Sequence, residues 1–222
     1  MGDHAVNRFV EEVTVEPDAI ARAREAALEL GAEPISAAVG VQCATIAAVG
    51  RALNIVEIGT GGGVSGLWLL RGAPQATLTT IDVEPEHLGA ARHAFAQAKV
   101  PPARARFITG RAAEVLPRMN EASYDIVLVD AEPEGVIEYV EHGLRLVRPG
   151  GTVLVPRVLA GGAVADPVKR DEVTTAYRSL IQEVAQSPAV LGALHTAREG
   201  LLQLTTLASV SETRKHESGR SP

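Results

Sequence analysis

The chain has 222 residues and a formal net charge of −6, and only 3% of its residues are aromatic. This length predicts one domain, and the negative charge and scarce aromatic rings argue against a nucleic-acid partner. The single cysteine, Cys43, excludes an internal disulfide and favours a cytoplasmic location. No apolar run approaches the roughly 20 residues of a membrane-spanning helix, so we expect no membrane contact.

The N-terminal part of the chain predicts helices rather than strands. Residues 1–16 are polar and mixed, which predicts a loose lead-in. A helix near 18–30 stops at Gly31, and a second helix, rich in alanine and valine, covers 36–53. We expect the segment 17–53 to form a helical cap that covers a sheet edge, a pocket or a dimer face.

From residue 54 onward, predicted strands alternate with predicted helices. The strands are 54–58, 76–82, 106–109, 124–130 and 152–155, the helices are 64–71, 84–99, 112–119, 136–146 and 166–186, and a terminal hairpin combines 193–197 with 201–207. This alternation predicts an α/β fold with a Rossmann-like open twisted sheet, mostly parallel, with an antiparallel C-terminal hairpin strand and helices on both faces.

The domain boundaries follow from this pattern. We expect a single domain over 17–207, in which 54–207 form the α/β core. The last residues, 208–222, are polar and predict a disordered tail.

A glycine-rich turn follows the first strand. Gly59, Gly61 and Gly62–Gly63 permit a tight backbone turn, and the helix after them points free amide groups into the same space. Strand, turn and helix together predict a nucleotide-type pocket, although such turns also occur without ligands. The third glycine of the dinucleotide fingerprint is replaced by Val64, which weakens an NAD interpretation.

Two carboxylates strengthen the interpretation as a ligand pocket. Asp82 ends the second strand, about where a carboxylate accepts hydrogen bonds from ribose hydroxyls; the alternative is a surface carboxylate that caps the next helix. Glu57 lies inside an apolar strand, where burial of a carboxylate is costly unless it is paired. We therefore favour a ligand-facing role for Glu57.

Several segments together resemble a known enzyme class. They are Val56–Gly61, Thr80–Glu86, Gly110–Ala112, Tyr124–Asp130 and Arg148–Thr152, with Pro34–Gly40 and Gly63–Leu69. In this order they resemble class I S-adenosylmethionine-dependent methyltransferases, and within that class the catechol and caffeoyl-coenzyme A O-methyltransferase family, particularly its uncharacterised bacterial members. The resemblance extends over 14–207. It implies a homodimeric enzyme that transfers a methyl group from S-adenosylmethionine to a hydroxyl of a small, aromatic acceptor.

The resemblance also implies roles for individual residues. Those that would hold the methionine part of the cofactor are Val39, Glu57, Gly59, Thr60, Gly61 and Ser65. Asp82 and Val83 would meet the ribose and the adenine, and Ala112 would line the adenine pocket. Asp130 would face both the cofactor and the reacting centre.

The family's metal site is incomplete in this sequence. Asp130 matches the first metal ligand, but the Asp-Asn pair expected after the fifth strand is Pro156–Arg157, and the expected base lysine is Pro133. Mg²⁺ needs oxygen ligands, which a guanidinium does not supply, so we expect no metal. We expect Arg157 to replace the metal as a fixed positive charge and to act with Asp130 in catalysis and substrate binding. The alternative is a structural ion pair in a site that has lost catalysis.

No general base can be assigned. The candidates His87, His142, His195 and Glu132 each have a simpler explanation as surface or rim residues. A second hypothesis is therefore a protein that binds S-adenosylmethionine or S-adenosylhomocysteine with little or no turnover. A nicotinamide-dependent oxidoreductase would rest on the glycine turn alone. A nucleic-acid N-methyltransferase is disfavoured, because Asp130–Pro133 lacks the Asp-Pro-Pro-Tyr type of motif.

Overall fold

A seven-stranded sheet organises the computed structural model, which describes residues 2–207. The strands are β1 (Asn54–Ile58), β2 (Thr77–Asp82), β3 (Ala105–Thr109), β4 (Tyr124–Val129), β5 (Val147–Pro156), β6 (Val190–His195) and β7 (Leu201–Thr206). Their order in the sheet is β3-β2-β1-β4-β5-β7-β6. β1 to β5 pair in parallel, and β7 pairs antiparallel with β5 and β6, which confirms the predicted sheet.

Helices connect the strands and precede the sheet. They are α1 (Gly2–Val13), α2 (Asp18–Glu29), α3 (Ala37–Val49), α4 (Val64–Gly72), α5 (Pro85–Gln97), α6 (Ala112–Val115), α7 (Val136–Leu146) and α8 (Glu172–Gln186). One apolar cluster packs α2 to α5 on one face of the sheet, and a second packs α6 to α8 on the other. The predicted placement of helices on both faces is confirmed.

The alternation of side chains along β1 explains why both faces are buried. Ile55 belongs to the cluster beneath α3 and α4, whereas Val56 and Ile58 belong to the opposite cluster. Each of these side chains is at most 1% exposed. A central strand with two buried faces is mainly apolar, as parallel sheets favour, and in β1 only Glu57 interrupts the apolar residues 55–58.

Several predicted segments differ from the structure, and β5, for example, begins at Val147 rather than at residue 152. The loose lead-in predicted for 1–16 is wrong, because 2–13 form the amphipathic helix α1, which contacts α3. Glu11 ties it to α3 by accepting a hydrogen bond from the backbone amide of Ala38 at 3.2 Å. The predicted helix from 166 begins only at Glu172, because Asp171 caps it by accepting the Thr174 amide.

The C-terminal hairpin begins earlier than predicted. The first hairpin strand begins at Val190 rather than at 193, and it forms the sheet edge. Within residues 2–207, no helix combines the length and the apolar character that crossing a bilayer requires. The predicted disordered tail, 208–222, lies outside the described residues.

Candidate functional site

A cavity of about 750 Å³ opens at the carboxyl ends of the parallel strands. It lies beyond β1, β2 and β4, where connections leave the sheet in opposite directions and ligands collect in open α/β folds. Nine of the predicted site residues line it: Gly59, Thr60, Gly61, Ser65, Asp82, Val83, Ala112, Asp130 and Arg157. Val39 and Glu57 do not line it, and both are fully buried.

The glycine turn after β1 forms the floor of this cavity. Gly59 has φ +90°, and a Cβ atom there would collide with the backbone carbonyl of Asp130. At Gly61 a Cβ would meet only Ala32, at 3.8 Å, so this position leaves open space. Gly63, with φ +86°, then starts α4, whose first amide groups have no partners within the helix. The turn therefore brings polar backbone close to any ligand in the cavity.

Asp82 holds the glycine turn in place. Its Oδ2 accepts hydrogen bonds from the backbone amides of Thr60 and Gly61, both at 2.9 Å. Its Oδ1 accepts the Glu84 amide at 2.9 Å and lies 3.5 Å from Nδ1 of His87. Because a carboxylate oxygen has two lone pairs, Oδ1 can accept a further hydrogen bond from a ligand hydroxyl. Positioning of the turn is a role that the sequence analysis missed.

Glu57 is placed differently from its predicted contact with the cofactor. Its carboxylate lies beneath the turn and accepts hydrogen bonds from the hydroxyls of Ser65 and Thr80, both at 2.6 Å. The pKa of Glu57 is raised to about 7, chiefly by burial and to a smaller extent by the nearby charge of Asp82, against the opposing effect of these hydrogen bonds. Glu57 can thus reach a ligand only through other side chains. Alternation along β1 is the signal that could have shown this, since Glu57 shares a face with Ile55.

Val39 also departs from its predicted contact. It lies in the first turn of α3, is fully buried, and donates its backbone amide to the hydroxyl of Ser36 at 3.3 Å. The structure therefore separates Val39 and Glu57 from the residues that line the cavity.

Arg157 and Asp130 form an ion pair at the side of the cavity. Asp130 follows β4, and its amide extends the sheet by donating to the carbonyl of Ile58 at 2.8 Å. Arg157 follows β5 with φ +64°, and its guanidinium also donates to the backbone carbonyl of Glu33. Burial lowers the pKa of Arg157, while Glu199 and Tyr177 raise it, and a guanidinium stays charged at neutral pH. The site thus holds a fixed positive charge beside a carboxylate.

The donor set at this position does not fit a divalent metal. Asp130 supplies the carboxylate, but Arg157 already pairs with it, and a guanidinium has no lone pair to donate to a cation. Across residues 2–207, no group of three or more histidine, cysteine, aspartate or glutamate side chains is arranged to hold an ion. Mg²⁺ therefore has too few oxygen ligands here.

The candidate bases fall into two groups. Glu132 and His87 line the cavity. The hydroxyl of Tyr139 donates a hydrogen bond to the Glu132 carboxylate. Burial and this hydrogen bond raise the pKa of Tyr139. His142 lies on α7, 3.9 Å from Glu138, and His195 lies at the end of β6 near Gln203. Neither of these two histidines lines the cavity.

A second cavity, of about 920 Å³, lies on the other side of Arg157. The two cavities share walls formed by Glu33, Pro34, Pro133, Arg157 and Tyr177. Tyr177 is a buried residue of α8, and burial raises the pKa of its hydroxyl. The sequence analysis missed Tyr177 and the 33–34 loop, because only the packing of α8 and the cap brings them to Arg157.

Comparisons with known proteins identify the relatives of this chain. A family model described as O-methyltransferase matches residues 21–206. A protein of Mycobacteroides abscessus named "Putative O-methyltransferase" is 43% identical over 191 residues, which cover 86% of this chain and 89% of that protein. A protein of the same name from Mycobacterium avium is 43% identical over 193 residues, covering 86% and 87%.

A solved structure also matches over the whole domain. The O-methyltransferase TomG from Streptomyces achromogenes, which is involved in tomaymycin synthesis, was crystallised in complex with S-adenosylmethionine. It superimposes with a TM-score of 0.81 at 29% identity, covering 94% of this chain and 100% of TomG. The shared fold includes the sheet that forms the cavity described above.

Proposed function

Since the chain belongs to the O-methyltransferase family, we propose that it methylates a hydroxyl of a small, aromatic acceptor without a divalent metal. Its cofactor is S-adenosylmethionine, which the similar enzyme TomG binds. The observation that carries the proposal is the Arg157–Asp130 ion pair at the shared wall of the two cavities. The resemblance implies a metal ligand at the position of Arg157, and its guanidinium would supply a fixed positive charge there instead.

The residues that line the first cavity suit the parts of S-adenosylmethionine. Asp82 keeps an acceptor position free for ribose hydroxyls, and Val83 and Ala112 offer apolar contacts for the adenine ring. The glycine turn and the first turn of α4, with Thr60 and Ser65, would hold the methionine part. When bound, this cofactor supplies an electrophilic methyl group.

The acceptor would approach from the second cavity, so that its hydroxyl meets Arg157. Methyl transfer to oxygen is a direct displacement, which gains most from alignment of the reacting atoms. The acceptor would lose its hydroxyl proton to the solvent, so that its oxygen meets Arg157 as an anion. A guanidinium fixed by Asp130 and by the Glu33 carbonyl is preorganised to stabilise negative charge on the acceptor oxygen. Pro34, Pro133 and Tyr177 give this entrance flat, apolar walls that suit an aromatic ring.

The second candidate function is cofactor binding with little or no turnover. It is favoured because both candidate bases at the cavity already have partners. The Tyr139 hydroxyl donates to Glu132, and His87 lies beside Asp82. Under this alternative, the Arg157–Asp130 pair would be structural. Turnover with confirmed cofactor binding separates the two functions.

We further propose that the enzyme is a cytoplasmic homodimer. Three apolar side chains of α1, Val6, Phe9 and Val13, are each more than half exposed, and Leu191 is exposed on the edge strand β6. Apolar surface of this kind is typical of an interface between subunits. Light scattering coupled to gel filtration tests the proposal, and a monomeric mass at micromolar concentration would contradict it.

The experiment for the enzymatic function has two steps. Calorimetric titration with S-adenosylhomocysteine, and with NAD as the control ligand, is carried out with and without Mg²⁺; we expect binding of the first alone, unchanged by Mg²⁺. Turnover is then measured on a panel of phenols and catechols in Mg²⁺ and in EDTA, with equal rates expected in both. Loss of activity in EDTA would overturn the metal-free mechanism, and binding without turnover on any acceptor would favour the binding protein.

A further inference from the structure

A buried chain of hydroxyl groups connects Glu57 to the cavity. Glu57 is fully buried, and its two carboxylate oxygens accept from Ser65 and from Thr80 at 2.6 Å each. The hydroxyl of Thr80 lies 2.6 Å from that of Thr60, so the order is Ser65–Glu57–Thr80–Thr60. Both terminal residues, Ser65 and Thr60, belong to the cavity wall, whereas Glu57 and Thr80 do not. The carboxylate therefore acts on the cavity through two hydroxyls.

The direction of these hydrogen bonds depends on the protonation of Glu57. When Glu57 is ionised, three hydroxyl protons satisfy three hydrogen bonds, and all of them point toward the carboxylate. Ser65 and Thr60 then offer only lone pairs to the cavity. When Glu57 is protonated, one proton more is available than the chain has bonds, so Thr60 or Ser65 donates into the cavity. Protonation thus converts a cavity-facing acceptor into a donor.

The titratable groups nearest to the Glu57 carboxylate are acidic. Asp82 on β2 contributes a second negative charge, and Cys43 on α3 is a buried thiol whose pKa is raised to about 12. His87 on α5 faces Asp82, not Glu57. No arginine, lysine or histidine within residues 2–207 forms a salt bridge with Glu57. A positively charged ligand beside Ser65 and Thr60 would therefore act on a carboxylate that no described cationic side chain already pairs with.

The cofactor and its product differ by one positive charge. S-adenosylmethionine carries a sulfonium cation, and S-adenosylhomocysteine carries a neutral thioether in its place. We propose that the Ser65–Glu57–Thr80–Thr60 chain discriminates between them, binding the cofactor with Glu57 ionised and the product with Glu57 protonated. This inference rests on the proposed function, because it requires both ligands to occupy the cavity. Glu57 is then a positioning residue that acts through Thr60 and Ser65.

The proton balance follows from thermodynamic linkage. A ligand that binds more tightly to the ionised form must expel the proton of Glu57 when it binds, and the proton leaves through the hydroxyl chain to the cavity and the solvent. Once the methyl group has left, the sulfur is neutral and Glu57 takes a proton up again. Low pH thereby favours retention of the product, and high pH favours its exchange for the cofactor.

The test measures binding rather than turnover. The affinities of S-adenosylmethionine and S-adenosylhomocysteine are determined by calorimetry at pH 6 and pH 8, in two buffers that differ in ionisation enthalpy. We expect the preference for the cofactor over the product to rise about tenfold between these pH values. The buffer dependence should show proton release on cofactor binding near neutral pH. Glu57→Gln, which carries a permanent donor like the protonated acid, should have a preference independent of pH.

Two further variants provide the controls. Thr80→Val interrupts the chain between Glu57 and Thr60 and should reduce the pH dependence even if Glu57→Gln fails to fold. Thr152→Val removes a hydroxyl from the Thr152–Thr205 pair between β5 and β7, outside the cavity, and should behave as wild type. A pH-invariant preference in the wild type, or an unchanged pH dependence in Glu57→Gln, would overturn the inference. Failure of the folded wild type to bind either ligand would instead overturn the proposed function.

Discussion

The guanidinium of Arg157 pairs with the carboxylate of Asp130, and the two residues follow adjacent strands of the sheet. The same guanidinium donates to the carbonyl of Glu33 in the loop before α3. Arg157 thereby joins the sheet to the helical cap at the wall between the two cavities.

Replacement of Arg157 with alanine tests its role in catalysis. We expect turnover to fall by about 10²-fold or more, because a fixed positive charge at the acceptor oxygen is lost. The affinity for S-adenosylhomocysteine should stay close to that of the wild type. Arg148→Ala is the matched control, since Arg148 pairs with Asp125 across the same two strands at their opposite ends. Unchanged turnover in Arg157→Ala would show that the ion pair is structural.

Gly59 and Gly61 should differ in their tolerance of a side chain. Both have positive φ, so alanine costs about 1 kcal/mol of strain at either position. At Gly59 the added Cβ also collides with the Asp130 carbonyl, which the neighbouring strand cannot easily move. We expect Gly59→Ala to lower the free energy of unfolding by about 3 kcal/mol in total. Urea denaturation of both variants checks this, and equal losses would contradict the contact.

Asp82→Asn should weaken cofactor binding through the glycine turn. An asparagine can accept from the Thr60 and Gly61 amides with its oxygen, but its amino group then faces the Glu84 amide, so two donors oppose each other. The loss of charge-assisted hydrogen bonds of about 1.5 to 3 kcal/mol predicts at least about tenfold weaker binding of S-adenosylhomocysteine. Glu86→Gln changes a neighbouring exposed charge that does not line the cavity, so its affinity should change little. Equal affinities in both variants would argue against the role of Asp82.

Glu57 should make stability depend on pH in a defined window. Its pKa rises on folding from 4.5 to about 7, so between these values the folded state binds more protons than the unfolded state. Stability due to this group is therefore highest below pH 4.5 and falls as the pH rises to 7. Relative to the wild type, Glu57→Gln should gain about 3 kcal/mol between pH 4.5 and pH 8. Denaturation at several pH values measures this difference, with the exposed Glu25→Gln as the control, and a constant difference would contradict it.

Much of the site could be predicted, because local sequence patterns indicate where each strand ends. The glycine turn, Asp82 and Asp130 each follow an apolar strand, and parallel strands bring their carboxyl ends to one edge. The pairing of Arg157 with Asp130 was expected from the family resemblance, in which Arg157 stands where a metal ligand would follow the fifth strand, and the two side chains do form an ion pair.

Other features could not be predicted from the pattern around a single residue. The composition of residues 1–16 predicts a loose lead-in, whereas the structure has a helix there. Its apolar residues Val6, Phe9 and Val13 recur at helical spacing but are exposed, and Glu11 bonds to α3, so the helix does not follow the usual pattern of an apolar face turned to the core. Tyr177 gives no local signal of a site, and only the packing of α8 brings it to the cavity.

By itself, the sequence determined the order of strands and helices, the α/β class and the position of the ligand cavity, since these follow from periodicity and from residues at strand ends. Only the tertiary structure decided that Glu57 does not line the cavity and that Asp82 holds the glycine turn. It also decided that Arg157 reaches the Glu33 carbonyl. These contacts join residues far apart in the chain, and their geometry depends on strand register and on how the cap packs on the sheet, which no local pattern encodes.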